Sequence, residues 1–144
     1  MKLNKTDVDV AAIVNSVAAE YAERIKEKNA SFEINGDCTV HADEKLMKQA
    51  VKNVMDNAVK YVTAGGEIKV QLTDDLASFV NSSAPLGNET LTNAWKPYVK
   101  GDDSRHGHKG TGLGLSIVKA IMDRHGFDCE IKNTDDGVEV TLKF

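Results

Sequence analysis

Hydrophobic and polar positions along the chain switch between two periods, and the switches mark out its elements. Val10, Val14, Val17, Tyr21 and Ile25 recur at steps of three and four, which predicts an amphipathic helix over about 8–28. Thr6-Asp7-Val8-Asp9 ahead of it resembles a capping box with Asp in place of Glu. Ser31–Ile34 and Cys38–His41 read as short strands joined by the Asn35-Gly36-Asp37 turn. A second helix is predicted from an N-cap near Asp43 to about Tyr61, with Met47, Ala50, Val51, Val54, Ala58 and Tyr61 as its buried stripe. Gln49, Asn53, Asn57 and Lys60 fall on the other side, Asn57 at the border, and Ala64-Gly65-Gly66 ends the helix.

Beyond it, Glu67–Leu72 and Leu76–Asn81 are expected as strands around a Thr73-Asp74-Asp75 turn. The pattern then loosens from Pro85 to Gly110, with a short helix around Glu89–Trp95. A loop of that length inside a compact domain suggests a functional lid. A helix follows over Gly114–His125, with Leu115, Val118, Ile121 and Met122 inward and Gly126 as its stop. The chain closes with a hairpin. Phe127, Cys129 and Ile131 alternate with polar residues, Thr134–Gly137 turns, and Val138, Val140, Leu142 and Phe144 alternate in their turn. This order lacks regular strand–helix–strand alternation. It predicts an α+β fold, a two-layer sandwich whose mixed, mostly antiparallel sheet carries helices on one face.

Composition narrows the classes. At 144 residues, 41% hydrophobic and 28% charged, the chain reads as one globular domain with room for a core. A formal charge of −4 argues against general nucleic-acid binding. No apolar run approaches the roughly 18 residues of a membrane span, so direct membrane contact is not expected and a cytoplasmic setting is. Cys38 and Cys129 lie far apart without metal-ligand spacing, the pattern of reduced, buried thiols.

Gly110, Gly112 and Gly114 stand at alternate positions just where the last helix begins. Glycines at that density are costly in backbone entropy, and their usual tenant before a helix is a phosphate. The spacing fits neither a P-loop, GxxxxGK[ST], nor the GxGxxG dinucleotide fingerprint, whose third glycine would come one residue later. It points to a third kind of phosphate site, or to a flexible hinge before a helix.

Read together, Asn53–Tyr61 (NVMDNAVKY) and Gly110–Lys119 (GTGLGLSIVK) resemble the N box and glycine box of the sensor histidine kinase ATP-binding domain. Its superfamily includes DNA gyrase, the ninety-kilodalton heat-shock chaperone and MutL. Trp95-Lys96-Pro97-Tyr98 resembles the aromatic box of its lid, and the likeness covers nearly the whole chain. The resemblance implies an ATP site made of Asn53, Asn57, Lys60, Tyr61, Asn81, Arg105, Lys109, Gly110, Thr111, Gly112, Leu113 and Gly114, under a lid over about 85–110. Within it, Asn57 would give its side-chain oxygen to Mg²⁺, and Lys60 would reach the phosphates as a point charge. Tyr61 would close over the nucleotide or pack. Arg105 and Lys109 would face the terminal phosphate or stay solvated. His106 and His108 lack further metal ligands and read as surface residues, and His125 is expected to complement a helix C-terminus. His41 lacks the neighbours of a phosphoacceptor.

Two departures shape the expectation. The family's DxGxG box is Asn81-Ser82-Ser83-Ala84-Pro85 here, so the base would meet a neutral amide with a donor as well as an acceptor. Nothing resembles the phosphoacceptor helix. The implied function is therefore that of a histidine kinase catalytic domain, passing the γ-phosphoryl group to a histidine on a separate dimerisation domain, with a response regulator downstream. Asn53, where hydrolysing relatives carry Glu, favours transfer to imidazole over attack by water. The rival readings are an anti-sigma-factor serine kinase and a degenerate, non-catalytic nucleotide-binding module.

Overall fold

The structure is a computed structural model describing residues 2–97 and 114–144. Along the chain lie β1 (Lys5–Asp9), α1 (Val10–Glu20), α2 (Ala22–Glu27), β2 (Ser31–Asn35), β3 (Thr39–Asp43) and α3 (Glu44–Tyr61). They are followed by β4 (Glu67–Thr73), β5 (Leu76–Ser82), α4 (Asn88–Asn93), α5 (Gly114–His125), β6 (Asp128–Asn133) and β7 (Gly137–Lys143). Among the described residues, β2-β4-β5-β7-β6 form a five-stranded sheet and β1-β3 a separate ribbon. Only β2 and β4 pair in parallel within the sheet; its other pairs are antiparallel. The expected α+β sandwich is what forms.

Strand register explains the layers. Ile68, Val70 and Leu72 of β4 face Asn81, Phe79 and Ala77 of β5 in register, and Val138, Val140 and Leu142 of β7 continue that face. All nine are buried, and against them lie α1, α3 and α5, with Met47, Val51, Val54, Met55 and Val59 of α3 at the centre of the core. The opposite face is polar. There Ser78 donates to Glu139, and Lys132 approaches the same carboxylate at 3.5 Å.

Four details differ from the periodicity. Thr6–Asp9 lies in strand β1, with Val8 buried against Val40, and the cap of α1 is Asp9, whose Oδ1 accepts from the Ala12 N–H at 3.1 Å. The long first helix breaks at Tyr21, whose φ and ψ of −102° and 4° end α1. That break turns the buried Tyr21 ring so that its hydroxyl donates to Asp56 of α3 at 3.2 Å. The strands flanking the Asn35-Gly36 turn do not pair with each other: β2 joins β4 and β3 joins β1. Gly36, at φ 92°, passes so close to Leu72 that a Cβ there would lie 2.0 Å from its carbonyl oxygen. Finally, Tyr61 is 48% exposed and does not join the core.

The two N-caps show how polar groups tie the layers together. Asp43 caps α3 by accepting from the Leu46 N–H at 3.1 Å, and its other oxygen accepts from Asn4 at 3.1 Å. These N–H groups hold its carboxyl below the usual range. The Asp43 N–H donates to Nε2 of buried His125 at 3.1 Å, and Nδ1 of that ring lies 2.8 Å from the Ile121 oxygen. The two bonds together require the neutral Nδ1–H form. His125 does serve the end of α5, and it also ties that end to the start of α3.

Candidate functional site

The eighteen-residue helix α3 carries the centre of the site. Its apolar stripe faces the sheet, so helical spacing leaves Asn53, Asn57 and Lys60 half-buried along one flank. Asn53 Nδ2 donates to the backbone oxygen of Gly114 at 3.4 Å, which sets this flank against the first residue of α5. Gly114 has no positive φ, and a side chain there would meet nothing within 4 Å among the described residues. Packing among those residues therefore gives no reason for glycine at that position; close approach of a ligand would.

Lys60 leans toward Asp56, with Nζ 3.7 Å from Oδ2, and its side chain is 25% exposed. Asp56 is the meeting point of two helices: its Oδ1 also takes the Tyr21 hydroxyl at 3.2 Å and lies 3.4 Å from Arg24, whose guanidinium sits 5.2 Å over the Tyr21 ring. Burial and the Asp56 carboxylate push the Tyr21 phenol up to about 12. A pair as long and as wet as Lys60–Asp56 is worth ~0–1 kcal/mol, so an arriving anion can take the ammonium.

Asn81 lies at the end of β5 on the core face, 4% exposed. Among the described residues its amide makes a single hydrogen bond, Nδ2 to the Ser82 oxygen at 3.4 Å. That leaves Oδ1 as an acceptor none of these residues uses, held beneath the end of α3. Thr63, two residues past the helix, donates both its N–H (2.9 Å) and its hydroxyl (3.2 Å) to the same Ser82 oxygen. Gly137 lets β7 close on this point, since a Cβ there would lie 1.9 Å from the Asn81 oxygen.

Past β5 the chain is pinned before it leaves the described region. Leu86 N–H donates to Asn133 Oδ1 at 2.8 Å and the Asn133 amide returns a bond to Leu86 O at 2.9 Å. Half-buried Trp95 packs against the core. Of the residues expected in the site, Asn53, Asn57, Lys60, Tyr61, Asn81 and Gly114 are thus placed. Asn53 and Gly114 are brought into contact. Tyr98, Arg105, His106, His108, Lys109, Gly110, Thr111, Gly112 and Leu113 lie outside the described residues.

Sequence reasoning missed Lys28, Asp56 and Asn133. The ammonium of Lys28 sits on the carbonyl oxygens of Val59, Lys60 and Val62 at 2.8, 2.7 and 3.3 Å. Only its place at the end of a basic turn hinted at a capping role. Cys38 and Cys129 are free, their thiols raised by burial, which makes them poor nucleophiles. No described helix is long and apolar enough to cross a membrane.

Residues 42–144 match the family described as histidine kinase-, DNA gyrase B-, and HSP90-like ATPase, and the chain belongs to that family. Sensor protein CzcS of Cupriavidus metallidurans is 28% identical over 148 residues, covering 99% of this chain and 31% of that protein. Sensor protein IrlS of Burkholderia pseudomallei is 30% identical over 144 residues, covering 95% and 31%. The nucleotide-free catalytic domain of histidine kinase ThkA superposes with a TM-score of 0.83 at 29% identity, covering 99% of this chain and 97% of that one. ThkA has also been solved with the response regulator TrrA, at a TM-score of 0.77 and 26% identity over 97% of this chain and 41% of that one. The chain spans about a third of the length of the two sensor proteins, 31% of each. Within the family, then, it is an ATPase domain of the histidine kinase type, and the rival serine kinase reading is the weaker one.

Proposed function

We propose that the whole chain, residues 1–144, is one catalytic domain that binds Mg·ATP between the polar flank of α3 and the start of α5, under a lid over about 85–110. It would present the γ-phosphoryl group to a histidine on a separate dimerisation domain of a two-component sensor kinase. The contact that carries this reading is Asn53 to Gly114, because it makes the N-box flank and the end of the glycine run one surface. Phosphoryl transfer asks the protein mainly for positioning and charge neutralisation, and this surface offers both. Asn53, an amide, supplies no general base, which suits a nucleophile needing little activation, such as imidazole.

The residues present fit magnesium. Asn57 is half-exposed beside Gly114's contact residue, and its amide oxygen is a neutral, hard donor; one such ligand suffices for an ion that takes its other places from phosphates and water. When bound, the metal would supply charge neutralisation on the phosphates. Lys60 would exchange Asp56 for phosphate, Arg105 and Lys109 would add charge from the lid, and the glycines at 110, 112 and 114 would let the backbone approach. Tyr61, turned out of the core, would cover the nucleotide. Asn81 would read the base with an amide that both donates and accepts, so guanine should compete with adenine. A response regulator is the expected downstream partner, a reading that the ThkA complex supports. A cytoplasmic setting follows from the need for ATP.

Calorimetric titration with a non-hydrolysable ATP analogue and Mg²⁺, then with the GTP analogue, tests the reading. Magnesium-dependent binding of the adenine analogue is expected, with the guanine analogue within about tenfold. Absence of binding by either at millimolar concentration would move the chain to the degenerate regulatory class.

A further inference from the structure

We propose that Lys28 is a positioning residue for the nucleotide site, holding the last turn of α3 and offsetting the negative end of that helix where the phosphates approach. The proposal rests on the reading of α3's polar flank as that site. Its footing is the geometry of one ammonium group. Lys28 Nζ lies 2.8 Å from Val59 O, 2.7 Å from Lys60 O and 3.3 Å from Val62 O, a contact for each of its three N–H donors. Val59 and Lys60 belong to the final turn, whose carbonyls have no partner inside the helix. The main chain reinforces the grip: Gly65 N–H donates to Lys28 O at 2.8 Å, and Ser31 N–H to Gly66 O at 3.0 Å. The junction of α2 and β2 therefore clamps both ends of the turn that follows α3.

The electrostatic consequence is specific to an anionic ligand. A helix ends in roughly half a negative charge, and anions settle at N-termini, not C-termini. The proposed site borders the start of α5, which favours phosphate, but it also borders the last turn of α3, which opposes it. A half-buried ammonium seated on the carbonyls reverses the local sign. It also fixes the turn that carries Lys60 and Tyr61. Arg24 and Tyr21, about one and two turns before Lys28, hold Asp56 and through it Lys60, so this flank of the molecule is anchored along its length.

The test is titration of wild type, Lys28→Met and Lys28→Arg with adenosine, Mg·ADP and Mg·ATP. Lys28→Met should weaken ATP about tenfold, ADP less, and adenosine by no more than about twofold, with Lys28→Arg recovering most of the ATP affinity. Equal weakening of adenosine and ATP, or no weakening, would overturn the proposal, because a disturbance of packing alone ignores ligand charge. Should Lys28→Met fail to fold by circular dichroism, Lys28→Gln, a donor without charge, carries the same comparison and the same two outcomes. Failure of the wild-type chain to bind any nucleotide would overturn the site reading itself, and this proposal with it. Binding by the wild type with an unaltered profile in the variants would remove the Lys28 proposal alone.

Discussion

The two ends of α3 are built to different rules. At its start Asp43 is fully committed: it caps the helix with one oxygen, takes Asn4 with the other, and gives its N–H to His125. At its far end the backbone is equally well served, by Lys28, but the side chains of Asn57 and Lys60 are held less tightly. Asn57 is half-exposed, Lys60 holds Asp56 only at 3.7 Å, and Tyr61 stands 48% exposed where its helical phase assigned it to the core. One end commits Asp43 to the fold; the other leaves Asn57 and Lys60 within reach of a ligand. Substitutions at the first should change stability and leave binding alone, and those at the second should do the reverse.

The largest expected effect is on the side that holds both ends together. Met47 is fully buried in the first half of α3, so Met47→Ala should cost ~2–5 kcal/mol of stability, read as a lower urea midpoint at unchanged slope. At the open end, Asn57→Ala should leave the midpoint within ~0.5 kcal/mol of wild type while weakening magnesium-dependent nucleotide binding about a hundredfold. A variant that lost both together would erase the distinction between the two ends.

His125→Phe sharpens the contrast from the closed end. The ring lies stacked on Phe127 at 5.2 Å, a contact phenylalanine can keep, but the Asp43 N–H would lose its acceptor and the Ile121 carbonyl the ring donor. A loss of ~1–2 kcal/mol is expected, with nucleotide affinity unchanged. Asp43 adds a pH signature. Its carboxyl is held below the ordinary value in the folded state, so its contribution is present above that ordinary value and disappears as pH falls through the folded one. Denaturation curves across the acid range should show that loss in wild type and a weaker one in Asp43→Asn.

How much of this was legible in the chain depends on range. The hairpins β4–β5 and β6–β7 declare themselves, because strand alternation and turn residues are both local. The same rules say nothing about which strand lies beside β2: its partner β4 begins 36 residues along, at Glu67 against Ser31, and the Asn-Gly turn only bends the chain out of the sheet. The break at Tyr21 is invisible for a related reason. Both halves keep the same apolar phase, and only the hydroxyl's partner on another helix shows why the chain turns. Asn53 and Asn57 could be placed on one flank by spacing alone, whereas Lys28 and Asp56 look like ordinary surface charges until the end of α2 is docked beside α3. Local patterns reach the elements; the charges that serve two elements at once need the fold.

Tyr21 gives the smallest effect and the cleanest check on that docking. At neutral pH, Tyr21→Phe removes one hydrogen bond to Asp56 and should cost ~0.5–1 kcal/mol. The pH dependence carries more information. Burial, with Asp56 adding to it, raises the phenol from 10.0 to about 12 in the folded state. Between those values the unfolded chain releases its proton and the folded one keeps it, so ν_U falls below ν_N and stability must decline with rising pH. Below the window the contribution is complete. Lysines titrate nearby, but they are shared by wild type and variant, so the difference between their urea midpoints isolates the phenol. The wild-type advantage should shrink as pH rises from about 10 toward 12. An advantage constant across that window would mean the hydroxyl is not held against Asp56, and that α2 docks on α3 through Arg24 and Lys28 alone.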